Sequence, residues 1–249
     1  MAKGKKKHPK HASLSSKHED HNSVGGYDGG SCLTGHLSKY TSGNSCSYRW
    51  QGIKKAQENP APYNAHGKAY AHLNGAGFPN MAAQGVKNFE TGFMPYANQV
   101  HHVLPNSVLK NGVDTATNGD AALFEMIGQG LLVEKYNINH KDNMLILPSR
   151  WRDAVQVGLP THCGDHPTYS ATVKDWMDAA MTPYKALVDQ GKLHDKPDYQ
   201  DLKETLEQIS RSHYNILVAW GQATIKGQDP QTDPNTSVNE FPGLLSIAG

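Results

Sequence analysis

Three polar clusters hold the residues of this chain best suited to chemistry: Val100-His101-His102-Val103-Leu104-Pro105, Asp142-Asn143-Met144-Leu145-Ile146-Leu147-Pro148 and His162-Cys163-Gly164-Asp165-His166-Pro167-Thr168-Tyr169. Imidazoles titrate near neutrality and ligate divalent cations. Such clusters suit phosphodiester hydrolysis, which needs an activated water and neutralisation of the charge that builds on phosphorus and the leaving oxygen. If His101 and His102 end a strand, their side chains point to opposite faces, so one imidazole can hold an ion while its neighbour addresses the water. His162 and His166, bracketed by Gly164 and Pro167 at the entry to a helix, can converge on one ion. That convergence depends on the turn between them, because a four-residue spacing brings side chains together only on a helix. The H-E-x-x-H pattern of zinc proteases is absent, since no Glu stands between the two.

Each residue also has a plainer reading. His166 is an ordinary choice near a helix start, Asn143 a turn residue at a strand entry, Tyr169 a core aromatic and Cys163 a buried thiol. Lys141, Arg150, Arg152 and Lys174 surround the clusters and could form a phosphate-binding patch, with a solvated surface as their default.

Around these residues the hydrophobic spacing predicts an α+β chain. Gln99 to Leu104 and Met144 to Leu147, closed by Pro148, read as short strands, and Ala121 to Tyr136 reads as a helix with Asp120 near its start. Pro167 suits a first helical position, and Tyr169, Val173, Trp176, Met177 and Ala180 give an apolar face until Pro183 interrupts it. Leu202, Leu206, Ile209, His213, Ile216 and Trp220 recur at helical steps, which makes His213 a buried, hydrogen-bonded core histidine. A short helix near Tyr48 to Glu58 completes the set, and beyond Thr224 an extended or mobile tail is expected.

The resulting organisation is a basic, His-rich tail over 1–30, expected to be disordered, and an irregular Gly/Pro-rich region over 31–95. A site-bearing core over 96–180 and a helical region with its tail over 181–249 follow. His8, His11, His18 and His21 in the tail could bind a metal as a loose tract, with a solvated flexible tail as the plainer reading, while His36, His66 and His72 lack mutual ligand spacing and read as surface or packing residues.

Composition excludes several classes. With 24 Gly, 14 Pro and 37% apolar residues the core is modest and turns are many. A net charge of +1 means that nucleic-acid binding would rely on a local basic patch. Three cysteines, Cys32, Cys46 and Cys163, are too few for a disulfide framework or a four-thiolate zinc site; a Cys32–Cys46 bridge would suit an export compartment but is not required. No apolar run is long enough to span a membrane. The basic start lacks an apolar segment behind it, so any export is expected to use a route that reads no cleavable signal peptide.

Taken together, Val-His-His-Val-Leu-Pro, Ile138-Asn139-His140-Lys141-Asp142-Asn143-Met144-Leu145-Ile146-Leu147-Pro148 and His-Cys-Gly-Asp-His-Pro-Thr-Tyr-Ser-Ala-Thr-Val resemble the AHH family of the HNH/endonuclease VII group. The likeness covers residues 99 to about 175. It departs at Val100, where the family has alanine, at Met144, where glycine is common, and at Ser170, where asparagine is frequent.

The resemblance implies a ββα-metal (His-Me finger) core embedded in a mostly helical, loop-rich chain, clasping one divalent cation such as Mg2+, Zn2+ or another transition metal. It implies His102 as general base, Asn143 as the residue orienting that base, and His101, His162 and His166 as metal ligands, with one of the last two as an alternative phosphate contact. The activity implied is endonucleolytic cleavage of DNA, with RNA as a further candidate. The family's setting implies an antibacterial toxin of polymorphic or contact-dependent systems, carried by type VI secretion from the bacterial cytoplasm to a target-cell cytoplasm, with a cognate immunity protein and a secretion-apparatus carrier as partners. Two rivals stay open: a zinc-stabilised nucleic-acid or protein binding module without catalysis, and a hydrolase of another phosphoester.

Overall fold

A computed structural model describes residues 18–19, 31–33, 39–63, 96–162, 164–195, 197–229, 231 and 237–241. Cys163, His36, His66 and His72, and all of the tail but 18–19, lie outside the described residues. Within that tail, where disorder was expected, the strand β1 (His18–Glu19) pairs antiparallel with β2 (Ser31–Cys32). The helix α1 (Tyr48–Glu58) begins at the expected residue, because the Ser47 side chain accepts a hydrogen bond from the Trp50 amide and satisfies a donor the first turn leaves open.

The centre of the molecule is an antiparallel hairpin of β3 (Asn98–His102) and β4 (Met144–Pro148), in register from Asn98 opposite Pro148 to His102 opposite Met144. β4 is buried at every position, as its unbroken apolar run requires. α1 crosses the hairpin closely: a Cβ at Gly52 would come 2.9 Å from Val100 Cγ1, so the larger residue at position 100 is matched by the absence of one at 52.

The connection between the strands holds two helices, α2 (Asn106–Ala116) and α3 (Ala121–Val133), the latter capped by the Asp120 carboxylate on the amides of Ala122 and Leu123. The sequence reading found α3 but not α2, whose buried face of Val108, Leu109, Val113 and Ala116 is interrupted by Gly112 and diluted by Asn and Thr. Gly112 is there for contact: a Cβ would meet Met177 Cγ at 2.5 Å.

After β4 come α4 (Trp151–Val157), also missed because it is only two turns long, and α5 (Pro167–Asp189). Pro183 was expected to interrupt the apolar face of α5, yet it lies inside the helix. A helical proline costs ~3 kcal/mol. The carbonyl it leaves unpaired belongs to exposed Ala179, and the buried face of Val173, Met177, Met181 and Tyr184 runs straight through the break. α6 (Tyr199–Thr224) closes the fold with Leu202, Leu206, Ile209, His213 and Leu217 buried. His213 is fully buried with Nδ1 on the Ile209 carbonyl at 3.0 Å, as expected for a core histidine.

One hydrophobic cluster runs through residues from all these parts, including Leu33, Ile53, Tyr63, Leu104, Leu145, Val173, Leu206 and Phe241. Phe241 is a correction. The segment past Thr224 was expected to be an extended or mobile tail, yet Val238–Glu240 forms a 3-10 turn and Phe241 packs against Tyr169 and Trp220. Two buried apolar side chains, isolated in a polar stretch, gave no periodicity to read.

Candidate active site

The site forms toward the end of the hairpin where the helical connection leaves β3 and returns to β4, and there strand alternation separates two neighbouring imidazoles. His101 is buried and turned toward α5; His102 is half-buried and turned toward α1. Around His101 gather His162 and His166, with ring centroids 5.0 and 4.7 Å from it and 5.1 Å from each other. One donor atom from each of the three lies within 4.8 Å of the others.

Each member is held by a different part of the chain. Tyr169 fastens the start of α5 to the end of β3 through a hydrogen bond from its hydroxyl to the Val103 carbonyl, and its ring lies 4.9 Å from that of His101. His166 occupies the cap position of α5, with Nδ1 turned to Ser170 Oγ at 3.4 Å. Position 170, where the chain departs from the family pattern, therefore faces a ligand candidate. The His162 amide bonds to the Pro148 carbonyl (2.8 Å), while Val238 bonds to Thr161 (2.9 Å) and the Asn239 side chain caps the Thr168 amide (2.8 Å). The C-terminal segment thus braces the loop between the two histidines, which no motif announced.

Gln99 was also missed. Its Oε1 meets His162 Nδ1 at 2.7 Å, fixing the proton on Nδ1 and leaving Nε2 as the donor, the usual outer contact of a metal-ligating histidine. Its signal was the strand period, since residue 99 lies two positions from His101 on the same face.

These residues fit a divalent cation. His101 Nε2 is buried with no hydrogen-bond partner, a state that costs free energy unless something charged or polar occupies the space before it. All three imidazoles are held below their ordinary value chiefly by burial: His101 strongly, with the charges of His162, His166 and His102 adding to the effect, His162 to about 4, and His166 less. They are therefore neutral donors at pH 7, as ligation demands. Among the described residues the cluster offers three protein ligands, the number of a catalytic site with open positions rather than the four of a closed structural one.

On the other face, His102 Nε2 lies 2.9 Å from Asn139 Oδ1, and the Tyr48 ring packs edge-on at 5.0 Å. Burial lowers the His102 pKa and the Asn139 hydrogen bond partly restores it, so the ring is a neutral base at pH 7. The residue that meets the His102 ring is Asn139, whereas the sequence reading assigned this part to Asn143. Asn143 instead spends its side chain on the backbone: Oδ1 accepts from the Leu104 amide (2.6 Å), and Nδ2 donates to Leu104 (3.1 Å) and Ile138 (2.8 Å) carbonyls. It closes the mouth of the hairpin. Asn143 lies at the end of a one-turn 3-10 element leading straight into β4, which turns its amide toward the β3 exit rather than the ring.

The basic patch is thinner than its sequence suggested. Lys141 pairs with Glu58 (2.7 Å) and Lys174 with Asp178, while Arg150 and Arg152 are exposed at the start of α4.

Residues 83–211, more than half of the chain, match a nuclease family of the HNH/ENDO VII superfamily with conserved AHH. The chain belongs to the AHH nuclease family. No curated protein and no solved structure matches it. Family membership makes a nucleic acid the substrate class, and HNH-type nucleases use a divalent metal. Among the described residues, no helix is long and apolar enough to cross a membrane.

Proposed function

We propose that this AHH nuclease is a metal-dependent endonuclease that cleaves DNA by water attack on the phosphodiester, with RNA as a second substrate to be tested. The observation that carries the reading is the buried, partnerless Nε2 of His101 facing two further neutral imidazoles, one strand position from a histidine held for proton transfer. His101, His162 and His166 would hold the cation, which supplies charge neutralisation at the scissile phosphate and leaving oxygen. His102 takes the proton of the attacking water at Nδ1, because Nε2 donates to Asn139 Oδ1 and fixes the tautomer. Tyr48 and Asn139 confine the ring between them, so the accepting nitrogen keeps one direction.

In the same reading the chain is an antibacterial toxin, made in a bacterial cytoplasm, handed to a secretion-apparatus carrier and restrained by a cognate immunity protein. The support for this part is the likeness to a family whose members commonly act in that setting.

Incubation of plasmid DNA and of a structured RNA with the full chain, with and without chelator, tests the activity. Cleavage that requires divalent metal and is lost in His102→Ala is expected. Metal binding without cleavage of either polymer would replace this reading with a zinc-stabilised binding module. Expression of wild type and His102→Ala in a bacterial host tests the toxin part, and growth unaffected by the active wild type would remove it.

A further inference from the structure

Cys32 and Cys46 lie outside the catalytic cluster, and nothing in the proposed mechanism uses them. Both are fully buried thiols without a disulfide, and the Cys46 thiol is pushed up first by its neighbour Cys32 and then by burial. We propose that Cys32 and Cys46 are a disulfide-forming pair, a covalent staple that closes when the chain, once exported from the cytoplasm where it is made, refolds in an oxidising compartment.

The backbone around the pair is fixed on both sides. The Cys32 amide donates to the Tyr136 carbonyl (3.0 Å) and its carbonyl accepts from the Ile138 amide (2.8 Å), so β2 is laid alongside residue 137 as a third short strand contact. The Cys46 amide is held by Asn44 Oδ1 at 2.8 Å, one residue before the cap of α1. Asn137, paired with Cys32, also holds the Ser45 carbonyl, so the segments carrying the two thiols are anchored to each other, as a bond that needs close, facing side chains requires.

The location gives the staple a purpose. The Asn137 side chain donates to the Ser45 carbonyl (2.9 Å) and accepts from the Asn139 amide (2.9 Å), and Asn139 in turn meets His102 at 2.9 Å. A bond between Cys32 and Cys46 therefore ties together the segments that carry Asn139 and the start of α1, where Tyr48 contacts the same base.

The step is a thiol–disulfide exchange. One thiolate attacks a small-molecule or enzyme disulfide and releases a thiol; the second thiolate displaces the remaining half. Two protein thiols are thereby oxidised as one external disulfide is reduced to two thiols. Because the folded pair is shielded from solvent, exchange takes place before burial is complete, during folding rather than after it.

The test is refolding of the full chain from denaturant in a mixture of reduced and oxidised glutathione, against refolding in excess reductant, followed by alkylation, non-reducing peptide mapping and thermal melting. The expected product joins Cys32 to Cys46 and leaves Cys163 alkylated. Closing a loop of about 15 residues is expected to raise Tm by roughly 5–10 °C over the reduced chain. Cys46→Ala is expected to lose that difference while melting cooperatively in both buffers. Three alkylated cysteines after oxidative refolding, a bridge that recruits Cys163, or a Cys32–Cys46 bridge with no gain in Tm would each overturn the proposal. These readouts use no nuclease assay, so they stand apart from the functional reading.

Discussion

The two faces at the end of β3 present the same side chain in two kinds of setting. On the His101 face, three imidazoles from β3, the loop after α4 and the cap of α5 crowd together with a buried nitrogen left unpaired. On the His102 face, one imidazole is satisfied at Nε2 by Asn139 and flanked by Tyr48. The same side chain is placed in two different settings according to what the neighbouring elements bring to it. The first face collects like groups and leaves an electron pair for an ion; the second isolates one group and fixes its proton.

If the faces are separate machines, His101→Ala and His102→Ala should fail differently, and this pair gives the largest effects. His102→Ala is expected to lower the cleavage rate ~10²–10⁴-fold, the worth of a general base, with metal affinity unchanged by calorimetry. His101→Ala should lose metal binding together with activity. Equal loss of metal affinity in both variants would dissolve the distinction.

A smaller effect sharpens the first face. Gln99→Ala is expected to weaken metal binding about 10–100-fold by freeing the His162 ring, with no change in the pH profile of cleavage measured at saturating metal. A shift of that profile would place Gln99 on the base side instead.

The second face is sharpened by its two asparagines. Asn139→Ala should reduce kcat about tenfold, equivalent to one hydrogen bond. Its bond raises the His102 pKa, so removing it should move the acid limb of the profile to lower pH. Asn143→Ala should instead cost ~1–3 kcal/mol of stability, because the Leu104 amide is left unpaired in the core. Exchanged phenotypes would restore Asn143 as the orienting residue.

A further effect is on stability and concerns the metal-free chain. Burial first, and then the His166 charge, push the His162 pKa from 6.5 to about 4, so the unfolded chain takes up a proton at higher pH than the folded one. The contribution is fully present above about pH 6.5 and is lost as the pH falls toward 4. Urea melts of the metal-free protein over that interval check it, and His162→Ala should flatten the dependence.

Much of this comparison was legible early. The HH pair at the end of a strand, the Leu-Pro strand and the helix starting at Pro167 each depend on local spacing, and all three elements formed close to where the spacing put them. Other parts were hidden for local reasons: α2 by its glycine and polar dilution, α4 by its length, the course of α5 through Pro183 by packing that outweighs a local penalty. Asn139 and Asn143 stand in one polar stretch with nothing in residue type to tell them apart; only the path of the 3-10 turn points one at the ring and the other at the backbone.

The sequence by itself determined the reactive groups and their alternation, because periodicity along a strand or helix is a property of neighbouring residues. The tertiary structure alone decided which imidazole lacks a partner, which amide holds His102, and that the segments of Cys32 and Cys46 are anchored together, since each depends on segments distant along the chain being brought to one place by the burial of a shared core.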